Sequence, residues 1–237
     1  WIVIVHKRYT SIQPIWARSV YSEFLRIYPK LLIMSATLGD PKLLCEKLGL
    51  QGNTAYIDVP STFPVANRPV HYWPVVSLSK DSGDDAFEAL STAIKHIVNQ
   101  PYCTDKKGII HVASYKMVTQ LRPYLGSYPR FLFHEEIKHR ENMVAYFRED
   151  TGGNSVIITP SLTTGFDLPY DIGFQIIAKV PFAYLGDPLV RARRDYVLPD
   201  DPKFGKRVYD DDALNQIVQA SGRAVRAPDD KGITYIL

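Results

Sequence analysis

Gly108-Ile109-Ile110-His111-Val112-Ala113-Ser114-Tyr115-Lys116 is the stretch from which the fold can be read. A short apolar run passes into a serine, and Val118, Leu121 and Leu125 then recur at helical spacing. A buried strand feeding a helix is what this pattern predicts, and the same alternation extends in both directions. Upstream, Phe87, Leu90, Ile94 and Ile97 mark a helix led by Asp84 and Asp85. Downstream, Arg130–Phe133 reads as a strand and His139–Glu149 as a helix burying Met143 and Phe147. Ser155–Ile158, Phe174–Val180 and Gly232–Leu237 read as further strands. Strands with continuous apolar cores, alternating with helices, imply an α/β fold: a doubly wound parallel sheet covered on both faces. Ligands of such sheets gather at the carboxyl ends of the strands, and each polar motif considered below is expected there.

The first third is patterned differently. Trp1–Val5 and Leu31–Met34 read as buried strands, and Trp16, Val20, Phe24 and Ile27 as one helical face. Asp40-Pro41 should start a helix that Gly49 stops. Pro60, Pro64, Pro69 and Pro74 then punctuate a segment with little periodicity, the expected crossing between two domains. The expected division is 1–60, a linker at 61–74, and 75–237. An opening on Trp1, directly into an apolar run, reads as a piece of something longer.

The 237 residues carry a net charge of +3, with 46% apolar and 22% charged residues. That is an ordinary globular composition. The charge is too mild to argue for a nucleic-acid partner, which must come from local sites. Cys45 and Cys103 are the only cysteines and form no C-x-x-C pair, so no zinc or iron–sulfur site is implied. With few cysteines, no signal peptide and no run long enough to span a bilayer, a soluble cytoplasmic protein is expected.

Four segments carry candidate chemistry. In Gln219-Ala-Ser-Gly222-Arg223-Ala-Val-Arg226, the amide and the guanidiniums stand at i, i+4 and i+7. If the helix persists, they share one face, distinct from an apolar face of Leu214, Ile217 and Val218. Paired guanidiniums suit a site that holds and neutralises phosphate. Alone, the pattern more often describes a solvated helix face. Ser35-Ala36-Thr37 flanks a small residue with two hydroxyls able to exchange hydrogen-bond partners, or is simply a strand end running into a turn. Ser114 and Tyr115 begin a helix where a phosphate can be received, although a plain N-cap explains the serine as well. Thr163-Thr164-Gly165-Phe166-Asp167 combines hydroxyls, a glycine permitting close approach, and a carboxylate for ribose or arginine. It is also rich in turn formers.

Taken together and in order, Ser-Ala-Thr-Leu-Gly-Asp-Pro, His-Val-Ala-Ser-Tyr, Ser-Leu-Thr-Thr-Gly-Phe-Asp-Leu-Pro and Gln-Ala-Ser-Gly-Arg-Ala-Val-Arg resemble motifs III, IV, V and VI of superfamily-two helicases. The XPD/DinG-like branch is the nearest in pattern. Val59–Pro69, Ile177–Pro188 and Asp230–Leu237 also resemble it. The resemblance implies two RecA-like domains with ATP between them, this chain being the tail of the first (motif III) and most of the second (motifs IV to VI).

Carried over residue by residue, the resemblance implies catalytic roles for Arg223, Arg226 and Gln219, with Arg226 as the arginine finger. Gly165, Asp167 and Gly222 would serve ATP binding. Ser114, Tyr115 and Thr164 would lie near the nucleic acid, and Ser35 and Thr37 would couple hydrolysis to strand movement. The implied partners are single-stranded DNA and the N-terminal RecA-like domain, with the protein a monomer. ATP and Mg²⁺ are the implied cofactors.

The departures are specific. No G-x-x-x-x-G-K-[ST] loop is present, since the lone Gly205-Lys206 pair has Asp200 and Arg207 at the decisive positions. No acidic box for Mg²⁺ accompanies it, so both sites are expected outside these residues and the chain is expected to be inactive alone. His134-Glu135-Glu136-Ile137-Lys138-His139 spaces its histidines i, i+5, wrong for a helical zinc pair. Asp210-Asp211-Asp212 reads as the negative start of a helix. Two rivals stay open: a non-catalytic binding module on a RecA-like fold, and an unrelated doubly wound nucleotide-sugar enzyme, which would not need the paired arginines.

Overall fold

A computed structural model describes residues 1–20, 27–28, 30–50, 54–79, 81–150, 153–160 and 172–237. The elements in chain order are β1 (Ile2–Val5), β2 (Thr10–Gln13), α1 (Pro41–Leu48), β3 (Val70–Tyr72), α2 (Asp84–Val98) and β4 (Gly108–His111). They continue through α3 (Tyr115–Leu125), β5 (Phe131–Phe133), α4 (Arg140–Glu149), β6 (Val156–Thr159) and β7 (Phe174–Ile177). The last are α5 (Pro188–Arg194), α6 (Phe204–Ser221) and β8 (Ile233–Ile236). The chain forms two compact units, Trp1–Val59 with Phe182–Gln216, and Pro60–Pro181 with Ile217–Leu237. Phe182–Gln216, which belongs to the first compact unit, lies within the 75–237 stretch of the expected division.

In the first unit, β1 and β2 form an antiparallel hairpin, with Ile2 opposite Gln13 and Val5 opposite Thr10. β1 is therefore not the buried strand expected from its apolar run. Its side chains alternate, and Val3 and Val5 are exposed. Leu31–Met34 forms no strand either, and Leu32 and Met34 lie exposed. A parallel strand is buried only between partners, and none among the described residues pairs with this one. The expected helical face of Trp16, Val20, Phe24 and Ile27 falls partly outside the described residues. Trp16 itself is buried with Leu43, Phe204 and Val208. Its ring meets Phe204 edge-on at 5.3 Å, and the Arg193 guanidinium lies 5.6 Å from it.

Helix α1 forms as its ends dictate. The Asp40 carboxylate accepts from the N–H groups of Lys42 and Leu43, Pro41 occupies the first turn, and Gly49 ends the helix at φ +68°. Asp210, Asp211 and Asp212 lie inside α6 rather than at its start, correcting the helix-dipole reading. They have nearer partners: Lys47 Nζ is 2.7 Å from Asp212 and 3.9 Å from Asp211. Asp211 also accepts the N–H of Asp40 at 3.2 Å.

The second unit is built on a six-stranded sheet ordered β3-β8-β7-β4-β6-β5, every pairing parallel. The expected α/β sheet is thus present, and the end of the expected linker contributes its edge strand β3. Helices α2 and α3 pack on one face with Ile110, Val156, Ile158 and Ile176. On the other face, Phe147 of α4 packs with Ile109, Ile157, Ile172 and Ala224. Arg130 is structural: its guanidinium donates to the carbonyls of Val98, Cys103 and Lys106 at 2.9 to 3.0 Å. These bonds tie the end of α2 to the loop that follows it, and they satisfy carbonyls near its end.

Candidate nucleotide and nucleic-acid site

The carboxyl ends of β4, β5 and β6 bring one group of polar side chains together. Ser114 follows β4 and caps α3, its Oγ accepting the Met117 N–H at 3.2 Å. The plain N-cap role therefore holds, and the exposed hydroxyl remains beside the strand end. Tyr115 is half-buried and meets the ring of His134 edge-on at 5.2 Å. His134 follows β5, and its Nδ1 lies 2.8 Å from the Thr159 hydroxyl that ends β6. Burial holds the His134 pKa below its ordinary value, so the ring is neutral near neutral pH. Thr164, Gly165 and Asp167, expected just beyond Thr159, lie outside the described residues.

The neighbouring acids are engaged elsewhere. Glu135 receives Arg122 in a two-pronged contact at 2.7 and 2.9 Å, and Glu136 pairs with Lys138 at 2.7 Å. Among the described residues no group of three or more metal-capable side chains is found.

The arginine segment differs from its expected geometry. Helix α6 ends at Ser221, before Arg223, so Gln219, Arg223 and Arg226 do not share a helical face. Gly222 N–H bonds Val218 O at 3.1 Å, and Arg223 N–H reaches back to Ala220 O at 2.9 Å, tightening the last turn and closing the helix. Residues 222–226 form a turn that we call the arginine turn. The expected apolar face is also not buried: Leu214 and Val218 are exposed. Gln219 is exposed, and Arg223 and Arg226 are half-buried.

On the α4 face, Ala224 of this turn is buried in one cluster with Ile109 and Ile157. Gly232 passes beneath it, and a Cβ there would lie 2.6 Å from the Ala224 Cβ. Asp230, itself buried, holds the far end: Oδ2 accepts the Arg226 N–H at 2.9 Å and Oδ1 the Lys231 N–H at 2.8 Å.

A buried polar cluster lies under the near end. Gln175 of β7 and Thr234 of β8 are register partners, and the Gln175 amide bonds Thr234 Oγ1 at 2.8 Å and the Ser221 carbonyl at 2.8 Å. His111 Nε2 is 3.2 Å from Gln175 Oε1. Burial above all pushes the His111 pKa down to about 4; the Arg223 charge pushes the same way, while the Gln175 bond opposes it. Arg223 thus acts electrostatically on the last residue of β4, four positions before Tyr115. Gln175, His111 and Asp230 were not named as candidate site residues from the sequence, and His134 entered only in a histidine spacing unsuited to zinc. The available signal was a polar residue within an apolar strand, which must find a partner when buried.

In the first unit, Ser35 and Thr37 form a local turn, Ser35 Oγ accepting the Thr37 N–H at 3.2 Å. Gly39, two residues on, abuts Asn215 and Asp211 of α6.

Comparison with known proteins gives two results. The profile of helicase C-terminal domains matches residues 97–237. Among solved structures, an XPD helicase superposes with a TM-score of 0.61 at 18% identity, over 86% of this chain and 38% of its own. The Xpd4 structure from S. tokodaii gives 0.61 at 19% identity, over 91% of this chain and 41% of its own. An apo XPD structure gives 0.60 at 18% identity, over 86% and 43%. The chain therefore spans about two fifths of the length of the structures it matches. These likenesses bear out the expected RecA-like α/β fold, and the profile bears out the resemblance to helicases. No curated protein matches the chain. No helix among the described residues is long and apolar enough to cross a membrane.

Proposed function

The chain belongs to the helicase C-terminal domain family, and from that premise we propose that it is the C-terminal portion of an ATP-dependent DNA helicase, working with a RecA-like lobe that carries the phosphate loop. The observation that supports this most is the arginine turn, two half-buried arginines on a backbone anchored at both ends. Such a donor set fits a polyphosphate, since fixed guanidiniums recognise phosphate oxygens without reorganising. ATP would supply the phosphoryl group that is transferred to water. Arg226 is assigned the finger role, neutralising charge on the γ-phosphate, with Arg223 beside it. Gln219 and Gly222 line the approach, and Gly165 and Asp167 bind nucleotide from the neighbouring loop. Mg²⁺ is assigned to the phosphate-loop lobe.

Ser114, Tyr115 and Thr164 are assigned to a single DNA strand. A hydroxyl at a helix start and an aromatic edge are suited to phosphate contact and base stacking. Ser35 and Thr37, which already exchange hydrogen bonds with one another, are assigned to coupling. The proposed domain assignment is residues 1–60 as the tail of the first RecA-like domain, 61–74 as linker and 75–237 as the second, with Phe182–Gln216 a part of that last stretch that clusters with the first compact unit.

The test is ATP hydrolysis with and without single-stranded DNA, measured on the purified chain and on the protein carrying its upstream lobe. Stimulated turnover is expected only with the lobe. Stimulated turnover by the chain alone would refute the proposal.

A further inference from the structure

We propose that Gln175 is a positioning residue for the arginine turn: its amide holds the carbonyl at which α6 ends and so sets where Arg223 and Arg226 leave the helix. The functional meaning of that placement rests on the reading above, whereas the mechanical claim does not.

Strand β7 is Phe174-Gln175-Ile176-Ile177, and every residue in it is buried. The three apolar members pack in the core. Gln175 is 0% exposed, and an amide so placed is costly unless all its groups are paired. They are paired. Nε2 donates to Ser221 O and to Thr234 Oγ1, both at 2.8 Å. Oε1 then faces His111 Nε2 at 3.2 Å. The orientation is not arbitrary, because the reverse assignment would set Oε1 against the Ser221 carbonyl, two acceptors together. It follows that His111 carries its proton on Nε2, leaving Nδ1 as a buried lone pair with no hydrogen-bond partner among the described residues.

Ser221 is the last residue of α6, and its carbonyl is one of the four that a helix leaves without an internal donor. Backbone N–H groups from Gly222 and Arg223 close onto Val218 and Ala220 instead. The donor for Ser221 comes from a strand across the packing interface, 46 positions earlier in sequence. A leucine or valine at 175 would fill the sheet face equally well and leave the helix end to find its own place. The glutamine is therefore best understood through what it fixes, two residues before Arg223.

The test uses hydrogen exchange on the full-length protein, comparing wild type with Gln175→Leu and with the isosteric Gln175→Glu, which turns a donor into an acceptor opposite Ser221. Peptides covering residues 219–231 are expected to exchange roughly tenfold faster in both variants, the size of effect that one lost buried hydrogen bond produces. Peptides of β5 and β6, which make no bond to Gln175 among the described residues, should be unchanged. Exchange in 219–231 equal to wild type would overturn the inference. Equal loosening of the whole sheet would also overturn it, since Gln175 would then be a general core residue.

In parallel, DNA-stimulated turnover should fall at least about tenfold with KM for ATP within about twofold. Unchanged turnover in a protein whose arginine turn has loosened would sever the turn's placement from catalysis and overturn that half of the claim. A wild type lacking ATPase activity would instead overturn the proposed function, leaving the exchange result to decide the mechanical claim by itself.

Discussion

The carboxylate of Asp230 accepts the backbone N–H of Arg226 at 2.9 Å and, through its other oxygen, the N–H of Lys231 at 2.8 Å. One buried side chain thus fixes the exit from the arginine turn while Gln175 fixes its entrance. Asp230→Ala removes both acceptors and strands two N–H groups. A loss of about 1–3 kcal/mol in unfolding free energy is expected, as for buried donors left unsatisfied. Denaturant titration checks it, and a change below about 0.5 kcal/mol would show that water replaces the carboxylate.

Arg226→Ala should leave nucleotide binding largely intact and lower DNA-stimulated turnover by roughly 10³ or more, the scale of a lost arginine finger. Nucleotide affinity by fluorescence and turnover by phosphate release separate the two effects. Turnover within a factor of ten of wild type would remove Arg226 from the finger role.

Gly222 offers a cleaner discrimination. Among the described residues a Cβ there would meet only the Val218 and Gln219 carbonyl oxygens, at 3.6 and 3.7 Å, which is ordinary contact. Its φ is not among the left-handed values found at Gly39 and Gly49. Gly222→Ala should therefore keep the melting temperature or raise it slightly, through a stiffer unfolded chain. If the nucleotide approaches this backbone, ATP affinity should nevertheless fall several-fold. Unchanged affinity would show that no ligand passes close to residue 222.

His111 sets a pH dependence. Its folded pKa, about 4, lies below the ordinary 6.5, chiefly because burial disfavours the imidazolium. As pH falls through 6.5 the unfolded chain takes up the proton first, so this residue removes stability between about pH 6.5 and about pH 4. Integrated over that window the loss is on the order of 3 kcal/mol. His111→Gln, which does not titrate, should flatten the stability profile there. Because the Arg223 charge also depresses this pKa, Arg223→Gln should move the His111 titration upward when followed by NMR. A titration unmoved by that change would place the guanidinium elsewhere.

Much of the second unit was legible before any coordinates. Apolar strand runs such as Val156–Ile158 and helical spacings such as Leu90, Ile94 and Ile97 depend on neighbours only a few residues away, and each formed as expected. Caps were legible for the same reason, as at Asp40 and Gly49. The hairpin at β1–β2 and the exposure of Leu31–Met34 were not. A short apolar run reads alike whether partners flank it or not, and the partners decide its burial.

Local order along the chain therefore determined the strands and helices of the second unit and the succession of helicase-like motifs, because each rests on short-range periodicity and turn chemistry. Tertiary structure alone decided what becomes of the arginines. Helix α6 stops at Ser221, although the spacing of Gln219, Arg223 and Arg226 would have suited a longer helix. The residues that anchor the turn come from positions 111, 175, 230 and 234. Strand order β8-β7-β4 brings three of these side by side, and a buried amide's demand for partners then ties them to the helix end. No rule of sequence spacing carries that information, since it arises only when separate strands share one face of a sheet.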